Sequence, residues 1–302
     1  MKKFLLYIIF FFIPLIILGI GAEILLRGIP NEYSIKREFL DKNASEINIL
    51  ILGSSHAYRG INPEYFSNYT FNAAMFSQSL DYDLRILENY NNEFDNLNTL
   101  IIPISYPTLY TNLEMGIENW RAKNYNIYYD FSNDWKFTYS TEILNSTLKK
   151  NLSRIKDQYF FKRNHIEMGP LGWEGIARRA TKLELEETGI EAATRHTIDT
   201  SEAFNDNINY LKKITNLASE RNWQIILVIP PAYKTYRDNL SQVQLSRTIY
   251  LCKNLSVENS HVKFLNLIDS PLFNEADFYD ADHLNSWGAK KFSILIDQMI
   301  KN

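Results

Sequence analysis

One cysteine, Cys252, is the entire thiol content of this 302-residue chain. An internal disulfide is therefore excluded, and so is a zinc cluster built on cysteine thiolates. A basic excess is also missing: 32 Lys and Arg stand against 35 Asp and Glu, a formal net charge of −3. A nucleic-acid binder usually carries a basic face, so this balance argues against that partner class. HExxH, EF-hand and P-loop patterns are absent, and neither a metal site nor a nucleotide cofactor is expected. No internal repeat or low-complexity tract interrupts the chain. What remains is an ordinary globular composition, 45% hydrophobic and 22% charged, sufficient to build a core.

The N-terminus departs from that composition. Met1-Lys2-Lys3 precedes an apolar run from Phe4 to Ala22, followed by Glu23 and Ile24-Leu25-Leu26. At about 1.5 Å per residue the run nearly spans a hydrocarbon core of about 30 Å. Pro14 lies within it, which a membrane helix tolerates. Residues 1–26 are read as an uncleaved transmembrane anchor that meets the bilayer through residues 4–26. A cleaved signal peptide is the alternative, with Gly19-Ile20-Gly21 as its small-residue site. Lys2 and Lys3 on one side oppose Arg27, Lys36 and Arg37 on the other, so charge bias does not fix the orientation.

Residues 27–46 are polar and of mixed charge, and read as a linker. Beyond them the pattern alternates. Strands are predicted at 47–52, 69–73, 97–105, 223–229 and 262–267. Amphipathic helices are predicted over 80–90, from Ser201 to Ala218, over 240–255 and over 286–300, with Thr200 or Ser201 as cap of the second. Residues 107–200 show no clean period and read as an irregular insertion that shapes or covers the site. Strands alternating with helices imply an α/β domain over 47–302 with a central parallel sheet and helices on both faces. In such a three-layer, flavodoxin-like sandwich, ligands bind at the carboxyl ends of the strands.

Two motifs fall at those ends. The first strand runs into Gly53-Ser54-Ser55-His56. Glycine permits a tight turn, and backbone N–H groups opening a helix can stabilise an oxyanion. Before the last helix stands Asp280-Ala281-Asp282-His283. A hydroxyl needs a base to become a nucleophile, and an imidazole near neutral pH supplies one. An Asp three residues earlier can fold back onto its other nitrogen and fix the tautomer. Asp282, adjacent in sequence, is a second possible partner. Each motif taken alone also fits a plain helix cap.

These two blocks resemble the SGNH (GDSL-type) hydrolase superfamily. Gly53-Ser54-Ser55 matches its first block and Asp280-x-x-His283 its last, which implies Ser55 as nucleophile, His283 as base and Asp280 as the acid that orients it. The wider string from Leu52 to Pro63 is similar to membrane-anchored members that serve bacterial cell-envelope polymers, including the teichoic-acid D-alanylation family. The resemblance implies an esterase or O-acyltransferase acting on an acyl, chiefly acetyl, ester of an envelope polysaccharide. It also implies a domain on the periplasmic or outer side and a membrane acyltransferase as a partner.

The middle of the chain departs from the family pattern. The second-block glycine and third-block asparagine of the oxyanion hole are missing; the corresponding stretches read Phe71 to Ser79 and Pro103-Ile104-Ser105-Tyr106. The backbone N–H groups of Ser55 and Ser77 and the Ser105 hydroxyl are the candidate donors. The rival reading is a non-catalytic protein that keeps the fold to bind a polymer or scaffold a membrane assembly. Of the other histidines, His56 reads as a substrate contact or packing residue, His165 and His196 as surface residues and His261 as structural. Lys234 or Tyr236, after the Pro230-Pro231 stop, are possible contacts for an anionic substrate.

Overall fold

The computed structural model describes residues 2–131, 140–163, 166–198 and 202–301. The chain forms two compact units: Met1–Glu38 with Trp120–Glu167, and Phe39–Asn119 with Met168–Asn302. Among the described residues the strands are β1 Ile49–Ile51, β2 Thr70–Asn72, β3 Thr99–Pro103, β4 Gln224–Ile229 and β5 Val262–Asn266. In chain order the helices are α1 Lys2–Arg27, α2 Glu32–Asn43, α3 Ser55–Gly60, α4 Leu80–Asn89, α5 Ala122–Tyr128, α6 Leu148–Tyr159, α7 Lys182–His196, α8 Ala203–Glu220, α9 Lys234–Asp238, α10 Gln242–Glu258 and α11 Ser286–Lys301.

The second unit holds the sheet. Every strand pair is parallel, and the order is β2-β1-β3-β4-β5. This is the flavodoxin-like order, in which the winding reverses between β1 and β3. The aliphatic runs of β1, β3 and β4 are buried on both faces, as a sheet covered by helices requires, whereas β5 at the edge is only partly buried. Ile49, Ile51, Ile101, Ile226 and Val228 pack with Tyr58 of α3 and with Phe292 and Ile296 of α11. Their neighbours Leu50, Leu100, Ile102, Ile225 and Leu227 point to the opposite face and are equally buried. There α8 packs on β4 and on α4. His261 tethers this layer, its Nε2 lying 3.1 Å from the carbonyl oxygen of Thr215 in α8.

Two expectations are corrected. Residues 27–46 are not a linker, because they contain α2. Tyr33, Lys36 and Leu40 form its buried stripe, and the lysine within that stripe hides the apolar period. Residues 107–200 are likewise not one irregular insertion. Trp120–Glu167 belongs to the first unit, while the flanking stretches belong to the second. Within the latter, α7 opens on a capping box between Thr181 and Glu184. Its buried face is Leu185, Gly189, Ala192 and Ala193, too small in side-chain volume to give a hydrophobic period. A Cβ on Gly189 would stand 2.8 Å from the Tyr236 nitrogen, so α7 and α9 pack backbone to backbone. The cap residues Thr200 and Ser201, and also His165, lie outside the described residues.

In the first unit, Phe10–Arg27 of α1 has a mean hydropathy of 2.1 and is long and apolar enough to cross a membrane. Its last turns are tied into the unit. The Glu23 carboxylate accepts the N–H groups of Glu142 at 2.9 Å and Ile143 at 2.8 Å. The Tyr159 hydroxyl donates to the Leu25 carbonyl at 2.9 Å, and Leu26 is fully buried.

The α11 layer anchors the sheet through Phe292, whose ring is 0% exposed. Phe292→Ala is expected to cost about 3–5 kcal/mol. Urea unfolding of the detergent-solubilised chain measures this, and a loss under about 1 kcal/mol would mean α11 does not support the core as described.

Candidate active site

The site starts with the turn after β1. Leu52 donates its N–H to Ile101 of β3 at 3.0 Å, keeping the strand in register to its end. Gly53 then adopts a φ of +105°, a conformation that side chains strain to reach. Ser54 caps α3 and Ser55 is its first residue, where amide N–H groups have no partner within the helix. The Gly53 N–H donates to Asp83 Oδ1 at 2.9 Å, and the Gln78 amide donates to the same oxygen at 2.6 Å. Asp83 is fully enclosed by α4 and this turn, and burial pushes its pKa up to about 7 against the pull of these two donors. Nothing in the sequence marked Asp83, since its role comes from proximity to a residue thirty positions earlier.

The second part is the loop before α11. The Asp280 carboxylate folds back and accepts the backbone N–H groups of Asp282 at 3.2 Å and His283 at 2.7 Å. It also meets Nδ1 of the His283 ring at 3.0 and 3.1 Å. Nε2 of the same ring stands 2.8 Å from Ser55 Oγ. With Nδ1–H facing the carboxylate, Nε2 is left to accept the Ser55 hydroxyl proton. Ser55, His283 and Asp280 thus form one continuous hydrogen-bonded chain.

A second carboxylate lies behind this chain. Asp282 Oδ1 is 3.5 Å from His283 Nδ1, and its Oδ2 is 3.5 Å from His56 Nε2 and 3.8 Å from His196 Nδ1. The His56 ring stacks on His283 with centroids 4.6 Å apart and planes 16° from parallel. His196 Nδ1 is 2.8 Å from the buried Tyr236 hydroxyl. Burial opposes ionisation of Asp282, but the neighbouring imidazoles of His283 and His56 prevail and hold its carboxyl well below the ordinary range. Burial would also lower His283, yet Asp282 and Asp280 push it up to about 10. Burial lowers His56, with His283 adding to the effect, and lowers His196 to about 4.

His196 is therefore not the surface residue that the sequence suggests; α7, hidden by its small-residue face, carries it into the cluster. Lys234 is taken up by an ion pair with Asp238, and Tyr236 is buried against His196. The ligating atoms of His56, Asp282 and His283 lie within 4.8 Å of one another, which is close enough to ask whether they hold a metal. A ring nitrogen offers its lone pair in the ring plane. Two nearly parallel rings do not converge on one ion, and Nδ1 of His283 already faces Asp280. The set fits a carboxylate between two imidazole N–H groups better than a metal site.

The candidate oxyanion donors are placed as follows. Ser77, after β2, has a φ of +55°, and its hydroxyl donates to Glu118. That leaves its backbone N–H as the group of interest. Ser105, after β3, is buried, and its hydroxyl is 2.8 Å from that of Thr108. A half-open cleft of about 530 Å³, lined by Ser77, Pro107, Met115, Ile117, Arg195 and His196 among others, lies on the same edge. Its lining comes from the segments that directly follow β2 and β3, the strands that flank β1, and from the end of α7.

No protein-family model and no curated protein matches the chain. Among solved structures the chain is similar to a candidate platelet activating factor from Streptococcus pneumonia, at 13% identity and a TM-score of 0.44, covering 94% of this chain and 98% of that one. It is also similar to a candidate acylhydrolase from Bacteroides fragilis, at 12% identity and a TM-score of 0.42, covering 88% and 95%. A GDSL-like lipase from Bacteroides thetaiotaomicron follows at 12% identity and a TM-score of 0.40, covering 89% and 98%.

Asp83 gives a testable pH signature. Its pKa rises from 3.8 to about 7 on folding, so between these values the folded state holds more protons than the unfolded one. Stability from this group is present below about pH 4 and is lost as pH rises through about 7. Asp83→Asn keeps the acceptor and removes the ionisation. Urea unfolding across that window is expected to show a flatter pH dependence in the variant; an unchanged slope would assign the dependence to other groups.

Proposed function

We propose that the chain is a serine esterase or acyltransferase of the SGNH type, with Ser55 as nucleophile, His283 as base and Asp280 as its orienting acid. The observation that carries this reading is the 2.8 Å contact between Ser55 Oγ and His283 Nε2, continued by Asp280 at 3.0 Å on Nδ1. Ser55 Oγ attacks the carbonyl carbon of an ester while its proton passes to Nε2. Asp280 stabilises the imidazolium that forms. The backbone N–H groups of Ser55 and Ser77 and the Ser105 hydroxyl are the proposed donors to the tetrahedral oxyanion. Collapse expels the alcohol, which takes the proton from Nε2 and leaves an acyl group on Ser55. His283 then removes a proton from water, giving a free acid, or from a sugar hydroxyl, giving a new ester.

The proposed substrate is an acyl ester, chiefly acetyl, of a cell-envelope polysaccharide, a choice that rests on the resemblance of the Leu52–Pro63 string. A membrane acyltransferase is the proposed donor of the acyl group in the transfer direction. We further propose that α1 is an uncleaved single-pass anchor and that the domain lies outside the cytoplasm. The bonds from Glu142 and Ile143 to Glu23 support retention, since they make the end of α1 part of a folded unit. The reading as a non-catalytic binding or scaffold protein draws on one observation, the engagement of the Ser105 hydroxyl by Thr108.

A fluorophosphonate probe on the solubilised full chain separates the two. Wild type is expected to label, and Ser55→Ala and His283→Ala to lose labelling by about 10⁴-fold or more. Ser105→Ala is expected to slow it about 10²-fold. A folded wild type that takes no probe would favour the scaffold. For the anchor, intact mass of membrane-extracted protein should include residues 1–26, and alkaline phosphatase fused after residue 40 should be active. A mass lacking those residues, or an inactive fusion, would overturn retention or orientation respectively.

A further inference from the structure

Asp282 takes part in no step of the reaction above, yet its side chain is only 3% exposed, against 22% for Asp280. A carboxylate so far from water is costly unless N–H groups or cations face it. The cavity beside it, shared with His56, Ser105 and Tyr236, has a volume of about 10 Å³. That is room for one water at most, so bulk solvent does not screen the charge. What faces Asp282 is imidazole, from His283 through Oδ1 and from His56 through Oδ2.

The tautomers follow from the outer partners of each ring. In its neutral form His283 carries its proton on Nδ1, toward the carboxylates, because Nε2 meets the Ser55 hydroxyl. His56 Nδ1 lies 3.5 Å from Ser54 Oγ, so a hydroxyl proton directed there leaves the His56 N–H on Nε2, toward Asp282. The rings lie face to face, and one buried carboxylate lies 3.5 Å from a nitrogen of each, its Oδ2 accepting no hydrogen bond.

We propose that Asp282, held in place by His56, is a second positioning carboxylate for His283, fixing the plane of its ring and stabilising the imidazolium formed when Ser55 gives up its proton. The role rests on reading Ser55 and His283 as nucleophile and base. It divides labour between two acids. Asp280, partly exposed, shapes the loop and orients the ring by direct hydrogen bonds. Asp282, dry and spanning two rings, acts chiefly through its charge. Through charge Asp282 raises His283 more than Asp280 does, while Asp280 raises it more through its hydrogen bonds. The other groups facing this ring are Ser55 and His56 from α3 and His196 from α7, with Arg195 and Tyr236 facing the cluster from α7 and α9.

A measurement that needs no turnover tests this role. The chain has five histidines, so imidazole NMR signals of the full chain in detergent are few, and His283→Ala assigns the one of interest. The His283 midpoint is expected above about pH 8 in wild type, against an ordinary value of about 6.5, and about one pH unit or more lower in Asp282→Asn. A wild-type midpoint near 6.5, or one that Asp282→Asn leaves in place, overturns the proposal. Fluorophosphonate labelling against pH adds the kinetic readout: the rise of rate with pH should move down by the same interval in Asp282→Asn. For His56, Gln keeps an N–H donor near the position of Nε2 and Phe keeps only the ring. His56→Gln is expected to label about tenfold faster than His56→Phe, and equal rates would remove His56 from the role. A raised His283 midpoint that falls in Asp282→Asn, in a protein that takes no probe at any pH, would sink the esterase reading while leaving the carboxylate's hold on the ring intact.

Discussion

The carboxyl edge of the sheet depends first on the backbone at Gly53. Its φ of +105° turns the chain from β1 into α3 across residues 52–54. Any other turn would place Ser55 elsewhere relative to the loop that carries His283, 228 residues later. A β-carbon there would not clash badly, since its nearest neighbour would be Pro103 at 3.5 Å. The requirement is therefore conformational, not steric. The turn is also pinned from outside by Asp83, which receives the Gly53 N–H. An α4 side chain thereby holds the position of the serine without approaching it.

The same edge gathers titratable side chains into one cluster. Among the described residues, His56, His196, His283, Asp280, Asp282 and Tyr236 come together from α3, α7, α9 and the loop before α11. A parallel sheet with its switch point between β1 and β3 opens a crevice at that place, because flanking connections leave toward opposite faces. The crevice is where polar side chains gather without breaking the apolar layers. The layers under it are continuous aliphatic packing from Ile49 to Val228, which gives the site a rigid floor.

Much of this was legible in the sequence. The five strands and the helices α4, α8, α10 and α11 announce themselves because an aliphatic run or a 3.6-residue period survives the constraints of packing. Gly53-Ser54-Ser55 and Asp280-x-x-His283 were readable because each is local: a turn in one case, a carboxylate folding back by three residues in the other. What escaped shares a different cause. In α2 the buried stripe contains Lys36. In α7 three of the four buried residues are glycine or alanine, with Leu185 the one larger side chain, and at Gly189 the helix approaches α9 too closely for a β-carbon. Hydrophobic period reports volume and polarity, and neither helix signals its burial through them. His196 and Asp83 were lost for the same reason, as their meaning exists only once distant segments are brought together.

The two carboxylates on one loop follow from the same geometry. Asp280 and Asp282 are two residues apart, and the tight turn that lets Asp280 cap two backbone N–H groups directs the side chain of Asp282 inward. The loop cannot present His283 to Ser55 in this conformation without also burying position 282. An apolar residue there would remove the carboxylate that lies 3.5 Å from both His56 Nε2 and His283 Nδ1. A carboxylate places negative charge between the two imidazoles and raises His283. The burial of Asp282 is thus tied to the delivery of His283. The unusual electrostatics of the site are a consequence of how the loop must fold and not a separate addition to it.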